Sequence, residues 1–162
     1  GLRRIYSVTA DGPVRELGSL EAGSYSGLRV GGTAGPLLAA LWESAVNPPE
    51  IFRVDAGDGR RTRLSAINVE RAAGIDWQPA EHFWFTSSRG KRIHGMLVKP
   101  PGFDPAKKYP QFVLIHGGPH IMHGDQFLTR WNYHLLARPG YVVLVPNYSG
   151  STGFGEKFSQ SI

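Results

Sequence analysis

The sequence predicts a chain in two parts: an all-β meander over residues 1–80, then the opening of a parallel α/β sheet over 81–162. Three observations predict it. Upstream of 80, apolar residues come in short alternating runs divided by turn residues, the grammar of strands. Downstream, two continuously apolar runs at 112–115 and 141–145 flank a stretch with helical spacing. Finally, 41% hydrophobic residues, with 4 Trp, 6 Tyr and 8 Phe, supply apolar surface enough for a core and argue against disorder. The 21 Gly and 12 Pro make the chain rich in turns without reaching a disordered composition.

Within the first part, residues 5–8 read as a strand, Asp11-Gly12-Pro13 as a turn and 14–17 as an alternating strand. Residues 37–42 form a more buried run that Asn47-Pro48-Pro49-Glu50 breaks. Residues 51–54, the turn at 55–59 and residues 61–64 make a hairpin. No helix is expected in 1–80, because apolar positions at helical spacing never persist beyond one turn. Strands of this length suit a sandwich, a barrel or an incomplete propeller of about two four-stranded blades.

In the second part, residues 82–87 and 93–98 pair antiparallel about a turn at 88–91. Pro100, Pro101 and Pro105 exclude helix and central strand between 99 and 105, since proline lacks a donor and fixes φ. Residues 112–115 read as a strand covered on both faces. Asp125 is the expected N-cap of a helix reaching about residue 137, with Phe127, Leu128, Trp131 and Leu135 at helical spacing and Arg138-Pro139-Gly140 as its stop. Residues 141–145 are a second buried strand, and strand–helix–strand order demands that the two strands run parallel. Two parallel strands cannot cover both faces of a sheet, so the chain is expected to be part of something larger.

Composition excludes several functions. The longest apolar runs, 37–42 and 141–146, fall far short of the roughly 20 residues that span a bilayer, so no membrane partner is expected. Without Cys there is no disulfide framework and no thiolate metal site. Compartment is not assigned, cytoplasm and periplasm both staying open. The net charge of +5 is dispersed over short groups such as Arg3-Arg4, Arg60-Arg61 and Lys107-Lys108. These read as solvated turn charges, and no nucleic-acid partner is expected.

The most informative residues are His116-Gly117-Gly118-Pro119, at the end of the first buried strand, where open α/β sheets bind ligands. Two glycines let the backbone turn sharply and approach a ligand. Gly118 N–H is then the candidate donor to a developing oxyanion, while Pro119 offers none. Acyl transfer needs such a donor fixed beforehand, and losing one costs about 3–4 kcal/mol of barrier. A bare tight turn is the plainer alternative, but the surrounding order of strands favours the oxyanion loop. A metal site from His116, His120 and His123, followed by Asp125, is a rival. His-x3-His converges on one face of a helix, however, and Gly117, Gly118 and Pro119 forbid a helix there. No cofactor is expected. Residues 150–155 match neither phosphate-loop spacing and read as a flexible loop; His82, His94 and His134 read as ordinary strand or helix residues. Trp42, Trp77, Trp84 and Trp131 are assigned to packing.

Several segments together carry a family likeness: Ser87-Ser88-Arg89-Gly90-Lys91, Pro100-Pro101-Gly102-Phe103, Tyr109-Pro110, His116-Gly117-Gly118-Pro119 and the run from Val145 to Gly155. Through them, residues 83–162 resemble the start of the catalytic domain in the prolyl oligopeptidase family of serine peptidases, in the branch of acylaminoacyl-peptidases and bacterial dipeptidyl aminopeptidases. Residues 47–52 and 61–64 look like that family's last propeller blade. The resemblance implies C-terminal blades of a β-propeller over 1–80 and the N-terminal part of an α/β-hydrolase domain over 81–162. It implies hydrolysis of short peptides through a Ser–Asp–His triad, with Gly118 in the oxyanion hole. No serine here has Gly at both −2 and +2; Ser151 has Gly153 but also Ser149. The triad is therefore expected beyond Ile162, and no residue present is expected to be catalytic acid, base or nucleophile. Ser149 stands where the family usually has Arg. Expected partners are a peptide substrate, the remainder of the same enzyme and, as a candidate, a second copy. The alternative is a non-enzymatic β-rich binding module, which would lack any downstream Gly-x-Ser-x-Gly.

Overall fold

The computed structural model describes residues 1–18, 21–33 and 37–162. They form two compact units, one of Leu2–Ile75 with Gly124–Phe127, the other of Gly1, Asp76–His123 and Leu128–Ile162. The change of pattern was placed near residue 80; the units divide between Ile75 and Asp76.

In the first unit, β1 (Tyr6–Ser7) and β2 (Arg15–Glu16) pair antiparallel about a turn in which Gly12 N–H donates to Thr9 O at 3.2 Å. An antiparallel sheet follows in the order β3 (Ser24–Gly31), β4 (Leu37–Ser44), β5 (Asn47–Val54), β6 (Arg61–Arg63). Alternation puts Leu38 and Ala40 of β4 inside, where they join Ile5, Leu17, Tyr25 and Val54 in one core. Burying each of the larger side chains contributes roughly 1.5–3 kcal/mol. The expected hairpin turn is built on Asp55, whose Oδ1 accepts from Gly57 N at 2.8 Å and Asp58 N at 3.2 Å.

Two elements depart from the expectation. β5 begins at Asn47 and takes in Pro48 and Pro49, which the sequence suggested as a break. β6 reaches only residues 52–54 of β5, so the prolines lie where β5 has no second neighbour and missing donors cost little. A short helix, α1 (Val69–Ala73), occupies the region where none was expected. None of its residues is buried, so no apolar periodicity marked it. Glu50, 6% exposed, organises its approach: Oε1 accepts from Asn68 N at 2.6 Å, and Oε2 from Ile67 N at 3.1 Å and from the Ser65 hydroxyl. Burial raises the Glu50 pKa, but the Ser65, Asn68 and Ile67 hydrogen bonds and the Arg63 charge outweigh it, leaving the carboxyl below its ordinary value.

Residues 124–127 also belong to this unit, and Asp125 is not a helix N-cap. Its carboxylate is buried and already engaged, Oδ2 accepting from Gly23 N at 2.6 Å and Oδ1 from Ala45 N at 2.7 Å. Glu43 likewise accepts from Phe127 N at 3.0 Å.

The second unit holds a sheet in the order β7 (Glu81–Thr86), β8 (Arg92–Val98), β10 (Val142–Asn147), β9 (Gln111–Val113). β7, β8 and β10 pair antiparallel, while β9 and β10 run parallel as expected. The two central strands carry its driest side chains: Met96, Val98, Val143 and Val145 are fully buried. Among the described residues β9 pairs only with β10, and Val113 is 43% and Ile115, just past the strand, 65% exposed. The helix expected over 125–137 is only α2 (Tyr133–Ala137). Trp131 at φ +57° interrupts any earlier turn, and Asn132 takes the capping role, accepting from His134 N at 3.0 Å and Leu135 N at 3.1 Å. A last short helix, α3 (Glu156–Ser159), follows. Among the described residues no helix is long and apolar enough to cross a membrane.

Candidate functional site

Parallel pairing of β9 and β10 brings two loops of the second unit together at the C-terminal ends of these strands. One carries His116 to His123, the other Tyr148 to Gly155. The ladder continues one step past β9, where Leu114 N donates to Leu144 O at 2.8 Å. Beyond it the chain turns at His116.

His116 is 5% exposed and held from several sides. Its ring stacks on Tyr148 with centroids 4.4 Å apart, and the Tyr148 hydroxyl donates to His116 O at 2.6 Å. Nδ1 lies 3.2 Å from Gly117 O, and Nε2 lies 2.9 Å from Ser151 Oγ. A carbonyl only accepts, so in the neutral ring Nδ1 carries the proton and Nε2 accepts from the serine hydroxyl. Ser151 is fully buried, and its backbone is tied as well: its N–H donates to Tyr148 O at 3.0 Å and its carbonyl accepts from Ser159 Oγ at 3.2 Å. Thr152 N–H, donating to Ile121 O at 3.1 Å, joins the two loops a second time. The loop read as flexible is thus pinned.

Gly118 sits at φ +97°, and Gly117 and Gly118 are both exposed. A Cβ added at Gly118 would meet only Ile121 Cγ2 at 3.8 Å, so backbone conformation, not crowding, requires glycine. Among the described residues Gly118 N–H has no hydrogen-bond acceptor. Pro119 follows, half-buried, and its carbonyl accepts from Ile121 N at 2.9 Å. The loop therefore presents Gly118 N–H as an exposed donor at a strand end, and the exposed Gly117 and His120 amides likewise have no acceptor among the described residues.

Beneath it runs a buried polar chain. Asn147 is fully buried; its Oδ1 accepts from His123 N at 2.8 Å, and its Nδ2 donates to His123 O and His94 Nδ1, each at 3.0 Å. With His94 Nδ1 accepting, its Nε2–H donates to His82 Nδ1 at 3.0 Å. Burial, with His82 adding, pushes the His94 pKa down to about 4. Burial and then neighbouring His116 push His123 down to about 4 as well. Both rings are therefore neutral near pH 7.

The histidines do not converge as the rival reading required. His116 and His123 rings meet edge-on at 5.2 Å, His120 is exposed, and Asp125 is engaged with backbone amides of the first unit. Among the described residues no cluster of His, Asp and Glu is arranged to hold a metal ion. Of the tryptophans, Trp42 packs edge-on against Phe52, Trp77 against His134 and the half-exposed Trp84 against His94 and Phe154, whereas Trp131 is 57% exposed. Sequence reasoning passed over Tyr148, Asn147 and the inward-turned Ser151 hydroxyl. All three lie in the run from Val145 to Gly155, but nothing in its spacing shows which side chains turn inward.

Comparison with known proteins agrees with this layout. Residues 127–162 match the family model described as the prolyl oligopeptidase family. Dipeptidyl-peptidase 5 of Schizosaccharomyces pombe is 38% identical over 130 residues, covering 78% of this chain and 18% of that protein. Dipeptidyl-peptidase 5 of Trichophyton equinum is 48% identical over 126 residues, covering 76% of this chain and 16% of that one. The solved acylaminoacyl peptidase of Pyrococcus horikoshii superimposes with a TM-score of 0.81 at 28% identity, covering 98% of this chain and 24% of that one. The chain spans about a fifth of the length of these curated relatives. On the matched segment, the relatives and the fold together, the chain belongs to the prolyl oligopeptidase family.

Proposed function

We propose that the protein containing this chain is a serine peptidase that hydrolyses short peptides by acyl transfer, and that this chain supplies Gly118 N–H to its oxyanion hole. The carrying observation is that donor: exposed, without an acceptor among the described residues, at positive φ, and at the end of a parallel strand. Relatives named dipeptidyl-peptidase and acylaminoacyl peptidase support the substrate class. On this reading β3 to β6 form a propeller blade, and β7 to β10 open an α/β-hydrolase sheet. The Ser–Asp–His triad stands elsewhere in the protein, since no serine of this chain has the Gly-x-Ser-x-Gly setting.

The chemistry asked of the loop is specific. A serine Oγ, giving its proton to the triad histidine, attacks the peptide carbonyl carbon, and the carbonyl oxygen becomes an oxyanion. Gly118 N–H and the N–H of the residue after the nucleophile bond to it. The C–N bond then breaks, the amine leaving with a proton from the triad histidine, and water releases the acyl group. Gly118 bonds the oxyanion more strongly than the ground-state carbonyl, so its effect falls on kcat. The test is a fluorophosphonate probe on the full-length protein, read by peptide mapping. One labelled serine in Gly-x-Ser-x-Gly is expected. No labelling, labelling at Ser151, or a reading frame without the motif would overturn the proposal, the last favouring a binding module.

A further inference from the structure

We infer that Ser151 and His116 are positioning residues that aim the Gly118 donor, an inference that rests on the oxyanion reading above. An oxyanion donor helps only when its direction is set before the charge develops. A Gly-Gly pair does not set that direction, having the widest backbone freedom of any sequence. Nor does crowding, since space around Gly118 is open. The orientation comes from the preceding carbonyl. Gly117 C=O and Gly118 N–H belong to one planar trans peptide unit, so they point in opposite directions. His116 Nδ1–H holds Gly117 O at 3.2 Å and thereby turns Gly118 N–H away from the protein.

That hold requires the proton on Nδ1. The tautomer with its proton on Nε2 would set an Nδ1 lone pair against the Gly117 carbonyl, which repels and frees the peptide plane. The Gly117 carbonyl, which only accepts, selects that tautomer, and the partner at the other ring nitrogen holds the ring within reach of it. Here that partner is the Ser151 hydroxyl, fully buried and 2.9 Å from Nε2, which donates to that nitrogen. Tyr148 fixes the ring plane by stacking at 4.4 Å and anchors His116 O through its hydroxyl at 2.6 Å. The sequence of control therefore runs from Ser151 hydroxyl to His116 ring position, to Gly117 carbonyl, to the direction of Gly118 N–H. Ser151 makes no contact with the reacting atoms in this scheme and is not a nucleophile.

The test uses full-length protein with 15N-labelled histidine. The wild type should show the His116 proton on Nδ1, and Ser151→Ala should leave it there, since the Gly117 carbonyl remains, but weaken the Nδ1–H hydrogen bond to it, read as an upfield shift of that proton. In the same variant kcat should fall about tenfold with KM within about twofold, the loss of roughly one hydrogen bond's worth of orientation. His116→Phe keeps a ring over Tyr148 but removes both nitrogens, and the double variant should be no slower than His116→Phe alone, because the two act in series. A wild-type His116 protonated on Nε2 overturns the inference with no variant needed. So does a folded Ser151→Ala enzyme with wild-type kcat, or a double variant whose losses multiply. Fluorophosphonate labelling of the wild type separates the two failures: labelled protein with the wrong tautomer sinks only the positioning role, and unlabelled protein sinks the peptidase reading and this inference with it.

Discussion

Replacing Gly118 perturbs the loop through its backbone, and the magnitudes can be worked in order. At φ +97° an L-residue costs about 1–3 kcal/mol, while the added Cβ meets only Ile121 Cγ2 at 3.8 Å and clashes with nothing. The hydrogen bond from His116 Nδ1 to Gly117 O opposes rotation with about 1 kcal/mol. The strain wins. The Gly117–Gly118 peptide turns over, φ becomes negative, and the N–H leaves the oxyanion position. Loss of one such donor costs about 2.7–4 kcal/mol, or 10²–10³ in kcat. Gly118→Ala should therefore lower kcat about a hundredfold in the full-length enzyme, and Gly118→Val somewhat more because its branched Cβ narrows φ further. KM should change only a few-fold, since the ground-state carbonyl uses the donor weakly. Folding should barely change, because relaxation relieves the strain. The assay is steady-state hydrolysis of a chromogenic dipeptide amide beside a thermal melt, with His120→Ala as the comparison expected to keep kcat within about twofold. Gly118→Val retaining kcat within threefold would refute the reasoning. If His120→Ala abolished turnover at the same time, the loop would be acting through its histidines and the metal reading would return.

Two further outcomes concern the scaffold. His94 has a folded pKa near 4 against an ordinary 6.5, so the unfolded chain binds a proton across that window while the native site does not. Its contribution is complete above pH 6.5 and is lost as pH falls toward 4, by at most about 3.5 kcal/mol at 1.4 kcal/mol per unit; urea midpoints measured from pH 7 to 4 should fall, and His94→Gln should flatten the curve. Glu50→Gln keeps the shape but loses the charge that gathers Ser65, Ile67 and Asn68, and should cost about 2 kcal/mol at pH 7 by urea titration. Because the Glu50 pKa is depressed, that stabilisation is present above the unfolded carboxyl pKa and lost as pH falls through the folded one. Wild type and variant should thus converge in acid.

What was legible in the sequence follows the strength of burial. The run at 141–145 is apolar because β10 lies between β8 and β9 in the second sheet, where Val143 and Val145 see no water. Turn chemistry was as plain, Asp55 bonding its own loop amides in the hairpin between β5 and β6. Side chains whose partners are distant in sequence were illegible. Asp125 followed by apolar residues looks like a helix start, yet its carboxylate serves Gly23 and Ala45, 102 and 80 residues away. α1 buries nothing and exists where Glu50 gathers the amides before it, so periodicity was silent. Pro48 and Pro49 read as a break because spacing does not reveal which part of a strand lacks a second neighbour. At the site, the His-Gly-Gly-Pro loop and its strand end were visible, whereas the Ser151 hydroxyl's turn toward His116 depends on tertiary packing.

The most direct measurement is a crystal structure of the full-length protein carrying a fluorophosphonate adduct, whose phosphoryl oxygen stands in for the oxyanion of the tetrahedral intermediate. Gly118 N should lie about 2.7–3.1 Å from that oxygen, as an oxyanion donor must. His116 Nδ1 should still hold Gly117 O, and the adduct should sit on a serine in Gly-x-Ser-x-Gly. An adduct oxygen more than about 4 Å from Gly118 N, or a Gly118 N–H turned back into the protein, would contradict the assignment of this loop to the oxyanion hole.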